Sequence, residues 1–314
     1  MDASIRGLHH VTATVNDAQQ DVRFYTGVLG LRLVKKTVNF DNHHVYHFYY
    51  GNAEGTPGTL MTTFPYKGKG VAQGRHGAGQ IVATGFSVPA DSLPDWRKRL
   101  AASGVAVLEE GSRFGEGFLA VTDPSGLRIE LIGTGEDPRE PWIAPGIEPG
   151  MAIRGVHSAS LMIAIPEPSL ALLVDVLGYR VAGAEALRTR LGVNGGGPGR
   201  VLDIVEAPEA PTASNGLGTV HHVAMAVATA EEQLAYRRRL LRLGVAVTEV
   251  LDRQYFTSIY FREPGGVLYE IATIPPGFQV DEPLEELGRA LKLPPWEERS
   301  RREIEAGLPA VTVP

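Results

Sequence analysis

The feature that most narrows the choice of fold is internal repetition. One fixed offset carries Gly104-Val105-Ala106-Val107 onto Gly244-Val245-Ala246-Val247, Arg113 onto Arg253, Asp123-Pro124-Ser125-Gly126 onto Glu263-Pro264-Gly265-Gly266, and Glu130 onto Glu270. A second carries Gly7-Leu8-His9 onto Gly155-Val156-His157 and Val28-Leu29-Gly30-Leu31-Arg32 onto Val176-Leu177-Gly178-Tyr179-Arg180. The chain therefore reads as four units, ordered A, B, A′, B′. Self-similarity of this kind means one supersecondary structure used repeatedly.

Each unit has the same outline. An alternating strand opens it, as over 8–16. A helix follows, over 18–28, 92–103, 168–176 and 230–243, and stops at a glycine (Gly30, Gly104, Gly178, Gly244), the usual C-terminal punctuation. Three strands finish it, for example 32–38, 44–51 and 59–64. The pattern is βαβββ, an α+β fold. Four strands cannot close a barrel alone, so the units pair and line a concave sheet between them, as two tandem domains with open mixed barrels. The domains are read as 1–135 and 151–274. The linker 136–150 carries Pro138, Pro141, Pro145 and Pro149. The tail, 275–314, is expected to wrap the barrels, with helical stretches over 284–291 and 297–306 split by Pro294-Pro295.

Composition removes several function classes. The net charge is −6, with no long basic run, so nothing marks a nucleic-acid surface. The chain has no cysteine, which excludes disulfides, zinc-thiolate sites and a thiol nucleophile. No apolar run is long enough for a membrane span, and Met1-Asp2-Ala3-Ser4 lacks a signal-peptide pattern. A cytoplasmic enzyme without a membrane partner is the expectation, and a homo-oligomer the base-rate one.

The chemistry gathers at three stretches. Leu8-His9-His10-Val11-Thr12 and Val220-His221-His222-Val223-Ala224 open the first and last units, and Glu263-Pro264-Gly265-Gly266 leads into Glu270. Side chains alternate along a strand. His9 falls in a row with Val11, Ala13 and Val15, suited to lie under a helix. His10 falls with Thr12, Thr14 and Asn16, suited to a wet cavity. His221 goes with Val223, Met225 and Val227, and His222 with the small Ala224 and Ala226. Parity selects His10 and His222, and with Glu270 they make two imidazoles and one carboxylate, the ligand set of non-haem Fe(II) oxygenases. In the repeat frame His10 falls on Ser158, His222 on Val82 and Glu270 on Glu130, so the middle units lack the imidazoles and a single metal centre is expected. His43, His44 and His47 split between strand faces and cannot converge on one ion. Of these, His47 is the candidate for the substrate's side. Gly195 to Gly199 has no phosphate-binding register and reads as a loop.

These residues, with Gly55-Thr56-Pro57-Gly58-Thr59, Met61-Thr62-Thr63-Phe64-Pro65 and the run from Tyr260 to Glu270, resemble the vicinal oxygen chelate superfamily of glyoxalases, bleomycin-resistance proteins and extradiol dioxygenases, in particular its hydroquinone 1,2-dioxygenases. The resemblance covers nearly the whole chain. It implies Fe(II), or Mn(II), held by His10, His222 and Glu270. It also implies supporting or catalytic roles for His9, Thr12, His221, Arg253 and Tyr260, and a ring-cleaving reaction of an aromatic diol with O2. Two other chemistries use the same fold: a glyoxalase-type isomerase, which needs fewer open metal positions, and a metal-free aromatic-binding resistance protein, which commonly lacks the ligand set.

Overall fold

The computed structural model describes residues 3–313. Met1 and Asp2, part of the stretch read for a signal pattern, lie outside the described residues, as does Pro314. The first unit comprises β1 (Gly7–Val15), α1 (Ala18–Val22), β2 (Arg32–Asn39), β3 (Asn42–Gly51) and β4 (Leu60–Pro65). The second comprises β5 (Gln80–Pro89), α2 (Leu93–Ala102), β6 (Glu109–Arg113), β7 (Glu116–Thr122) and β8 (Arg128–Thr134). The third comprises β9 (Gly155–Ile163), α3 (Glu167–Ala171), β10 (Arg180–Glu185), β11 (Arg188–Gly192) and β12 (Val201–Glu206). The fourth comprises β13 (Thr219–Val227), α4 (Ala230–Arg242), β14 (Leu251–Asp252), β15 (Thr257–Arg262) and β16 (Leu268–Thr273); α5 (Arg301–Gly307) lies in the tail. The fold is α+β, built from the repeated βαβββ unit. Asp17 and Thr229 cap α1 and α4 by accepting the backbone N–H groups of Gln20 and Glu232.

The strands form two eight-stranded curled sheets. In one the order is β14-β15-β16-β13-β1-β4-β3-β2, so the first unit joins the last through the antiparallel β1–β13 pair. In the other, β10-β11-β12-β9-β5-β8-β7-β6, the middle units join through β5–β9. Sheet pairing thus cuts across the two halves of the sequence. It brings His10 and Glu270 together although nearly the whole chain separates them.

The tail closes the gap between the free edges of the first sheet. Leu291 bridges to Lys36 on β2, and the Lys292 N–H donates to the Lys36 carbonyl (2.9 Å). Lys35, wholly buried, donates to Asp281 (2.6 Å) and to Glu282. Tyr255 donates its hydroxyl proton to the other Asp281 oxygen (3.0 Å), which ties the tail to the loop after β14. A buried ammonium persists only with such partners.

Three sequence expectations change. The stretch 284–291 is no helix beyond a 3-10 turn at Leu284–Glu286. Gly288, with φ +79°, lies so close to β2 that an added Cβ would overlap the Leu33 carbonyl oxygen, and Leu291 is spent on the β2 bridge. The helices over 18–28 and 168–176 widen in their second halves into π turns, in which the Leu29 N–H reaches the Phe24 carbonyl (3.0 Å) and the Leu177 N–H the Leu172 carbonyl (3.1 Å). The third change is strict alternation in β1 and β13. The register slips at His9 and at His221, each an extra residue facing no partner. Such β-bulges re-aim side chains. Neither histidine joins the apolar row assigned to it, and both turn toward their neighbours. The other sheet slips at His157 and Val82, so the bulge belongs to the repeat rather than to histidine. It also corrects the repeat frame by one residue. Thr12 pairs with His222 and Ser160 with Ala83, so the counterpart of His222 is Ala83, not Val82.

Among the described residues, no helix is long and apolar enough to cross a membrane.

Candidate metal centre

A row of residues crosses the middle of the first sheet. His10 on β1 pairs with Ala224 on β13, which pairs with Glu270 on β16, which pairs with Tyr260 on β15. Because Ala224 has only a methyl group, the side chains on either side of it lean over and meet. His222, two residues back on β13, completes the group. His10 Nε2 lies 3.2 Å from His222 Nε2 and 3.2 Å from Glu270 Oε2. His222 Nε2 lies 2.8 Å from the same oxygen. Among the described residues, this is the one cluster of metal-ligand side chains so gathered.

The donor set fits a divalent transition metal. Ligands about 2.1 Å from one ion and at right angles stand about 3.0 Å apart, and the three separations bracket that value. Glu270 is wholly buried, and its Oε2 has no hydrogen-bond donor among the described residues. A buried carboxylate oxygen left so is costly unless a cation meets it. Burial pushes the Glu270 carboxyl up, but the facing imidazoles outweigh it and hold the group well below the usual carboxylate range. Burial, against the opposing pull of the Glu270 charge, lowers His222 from the usual imidazole value.

Each residue of the cluster is braced from behind. Ligation through Nε2 requires the proton on Nδ1. His10 Nδ1 lies 2.9 Å from His9 Nδ1, and His222 Nδ1 lies 2.7 Å from His221 Nδ1. With the inner rings ligating an ion through Nε2, the outer imidazole would be the acceptor in both pairs, a contact of the kind that fixes tautomer and ring orientation. Burial, then the neighbouring imidazole, lowers His9 and His221 to about 3, so both stay neutral acceptors near neutral pH. Ser258, on the strand beside Glu270, donates to Oε1. The Phe256 ring packs 4.8 Å from the His9 ring and 5.3 Å from the His10 ring.

The open side of the cluster faces a cavity of about 410 Å³. His10, His222 and His221 lie in its floor, and Tyr260, Arg253, Phe256, Tyr49, His47 and Phe64 in its walls. Arg253 donates from Nε to the Tyr260 hydroxyl oxygen (3.2 Å) and from its terminal nitrogens to Asp41 (3.1 and 3.3 Å) across the mouth. Burial and then the Glu270 charge push the Tyr260 phenol up, so it keeps its proton. Thr12 and His9 do not border the cavity. The Thr12 hydroxyl, on a fully buried residue, pairs with Thr62 (2.8 Å). His47 does border it, held by Thr62 at Nε2 and Tyr49 at Nδ1 (both 3.0 Å). His43 instead meets Glu297 of the tail (3.0 Å).

Sequence reading missed Ser258, Phe256 and Asp41. Alternation on β15 does place Ser258 in a row with Tyr260, a signal that was present. The loop and hairpin positions of Phe256 and Asp41 carry none.

The corresponding place in the second sheet holds Ser158, Ala83 and Glu130. Glu130 receives Arg113 (2.7 Å) and Arg128 (2.9 Å), so two guanidinium groups stand where the first sheet offers room for an ion.

These features place the chain in a class of metal-centred, paired βαβββ proteins. The sequence matches the family described as Glyoxalase/Bleomycin resistance protein/Dioxygenase superfamily over residues 7–131 and 155–271, and the chain belongs to that superfamily. It is 45% identical over 303 residues to a Bacillus subtilis (strain 168) protein named "Putative ring-cleaving dioxygenase MhqE", covering 96% of this chain and 98% of that one. It is 38% identical over 308 residues to the chlorohydroquinone/hydroquinone 1,2-dioxygenase of Sphingobium indicum, covering 96% and 95%. A crystal structure titled as a putative dioxygenase from Bacillus subtilis superposes with a TM-score of 0.94 at 40% identity, covering 99% of both chains. Glyoxalase I from Zea mays shares the fold, with a TM-score of 0.63 at 17% identity over 85% of this chain and 92% of that one.

Proposed function

We propose that this protein is a non-haem Fe(II)-dependent dioxygenase that opens the ring of hydroquinone- or catechol-type diols with O2. The observation that carries this is the cluster of His10, His222 and Glu270, whose two histidines lie in the floor of an aromatic-walled cavity. The relatives' names point the same way. Three protein ligands would leave room at an ion for substrate and O2. An Fe(II) ion held there supplies the one-electron chemistry that lets O2 react with a ring, which no side chain of this chain offers.

The residues do the rest. His10, His222 and Glu270 would hold the ion with two imidazoles and one carboxylate, a set that would neutralise only one of its two charges. His9 and His221 hold the ligand rings in place, and Ser258 holds the carboxylate. The Tyr260 oxygen accepts from Arg253, so its own proton is free to be donated to a substrate oxygen in the cavity. Phe64, Phe256, Tyr49 and the His47 ring exclude water around the diol.

The test is anaerobic loading with Fe(II), followed by oxygen uptake with hydroquinone and catechol. Oxygen consumed in step with loss of the aromatic ring supports the reading. A metal-loaded protein that consumes no oxygen with any diol overturns it.

A further inference from the structure

The cavity is larger than a bare diol needs. At about 410 Å³ it falls within the range that takes drug-sized ligands, whereas a hydroquinone has a single ring. The extra space runs up β1. Thr14 lies on the same face as His10, four residues on, which at ~3.3 Å per residue puts it roughly 13 Å from His10 along the strand and about half that from the level of His222, which pairs with Thr12. Phe64 is level with Thr14 in the β1–β4 pairing, and the His47 ring packs 4.3 Å from the Phe64 ring. A ring bound at the metal would therefore end against His47 and Phe64, and a substituent on it would reach the end of the cavity level with Phe64, where Thr14 lies.

That far end carries uncharged hydrogen-bonding groups. The Asn39 amide donates to the Tyr66 hydroxyl oxygen (3.1 Å) and accepts from the Asp41 N–H (2.9 Å). The Tyr66 hydroxyl, already accepting, keeps its own proton unspent. The Thr14 hydroxyl makes no hydrogen bond among the described residues, and both side chains border the cavity. The one cation in the wall, Arg253, is already paired with Asp41 at the mouth. An anionic substituent would meet the Asp41 charge with no cation free to receive it, whereas a neutral acceptor would meet two waiting O–H donors.

We propose that Thr14, Asn39 and Tyr66 form a specificity subsite for a neutral, hydrogen-bond-accepting ring substituent, such as an acyl group, on the diol bound at the metal. This rests on the reading of the cavity as a diol site.

The test compares 2-acetylhydroquinone with its shape-matched counterpart lacking the acceptor, 2-isopropylhydroquinone, and with 2,5-dihydroxybenzoate. Affinities for the Fe(II)-loaded protein are measured anaerobically by calorimetry, so the answer does not depend on turnover. The wild type is expected to favour the acetyl compound over the isopropyl one. Tyr66→Phe and Thr14→Val should each lower that ratio about three- to tenfold, the worth of one hydrogen bond. A ratio unchanged in both variants, or tightest binding by the carboxylate, overturns the subsite. Absence of oxygen uptake on later aeration would instead overturn the dioxygenase reading, and the two failures are separately visible.

Discussion

Replacing Ser258 by alanine removes one oxygen atom and leaves every proposed ligand in place. Ser258 is fully buried, and its hydroxyl donates to Glu270 Oε1 while Oε2 faces the two imidazoles. A hydrogen bond to a charged group is worth about 1.5–3 kcal/mol, because its loss leaves a charged acceptor without compensation. Part of that cost is already present in the metal-free protein, so only the share that orients the carboxylate toward the ion appears in affinity. Losses of this kind typically weaken metal binding about 10–100-fold, or about 1.4–2.7 kcal/mol. The assay is anaerobic competition for Fe(II) against a chromophoric chelator, with thermal unfolding as a check on folding. Ser258→Ala should lose affinity in that range, and Ser258→Thr, which keeps a hydroxyl, should recover part of it. Ser258→Ala protein that is folded and binds Fe(II) within twofold of wild type would refute the claim that this hydroxyl holds the carboxylate for a metal.

Three further outcomes follow from the same geometry. Tyr260→Phe should retain metal but turn over diols about 10²–10⁴-fold more slowly, the usual worth of a positioned proton donor; unchanged kcat would remove Tyr260 from the reaction. Metal analysis after Fe(II) loading should give one ion per chain, because Ser158, Ala83 and the Arg-bound Glu130 replace the ligands in the second sheet; two ions per chain would contradict this. Asp21, buried and accepting from Tyr50 and Thr63 (both 2.6 Å), is pushed up to about 8 chiefly by burial. The folded state therefore holds a proton that the unfolded chain releases near 4. This contribution to stability is present below pH 4 and is lost as pH rises toward 8. Denaturant titrations should show Asp21→Asn less sensitive to pH across that window than wild type, and equal slopes would count against it.

The βαβββ repeat was legible in the sequence because each unit keeps its strand alternation and its closing glycine. The positions of His10, His222 and Glu270 could be followed because alternation holds for them. It failed for His9 and His221, since a bulge shows only in the pairing of two strands and not in either strand alone. The same bulge moved the counterpart of His222 from Val82 to Ala83. The stretch 284–291 has helical periodicity, but pairing with β2 at Leu291 and the close approach of Gly288 to Leu33 outweigh local propensity. The contact between Lys35 and the tail was invisible for a related reason. A lysine inside a strand reads as exposed until the carboxylates that neutralise it, about 246 positions away, are brought beside it.

The central claim is that one ion is gripped from the two ends of the chain. Diffraction from crystals of the protein loaded anaerobically with Fe(II), recorded on both sides of the iron absorption edge, tests it most directly. The account predicts one anomalous peak per chain, in contact with His10 Nε2, His222 Nε2 and Glu270 Oε2. A peak held by other side chains, or iron bound without Glu270, would contradict it.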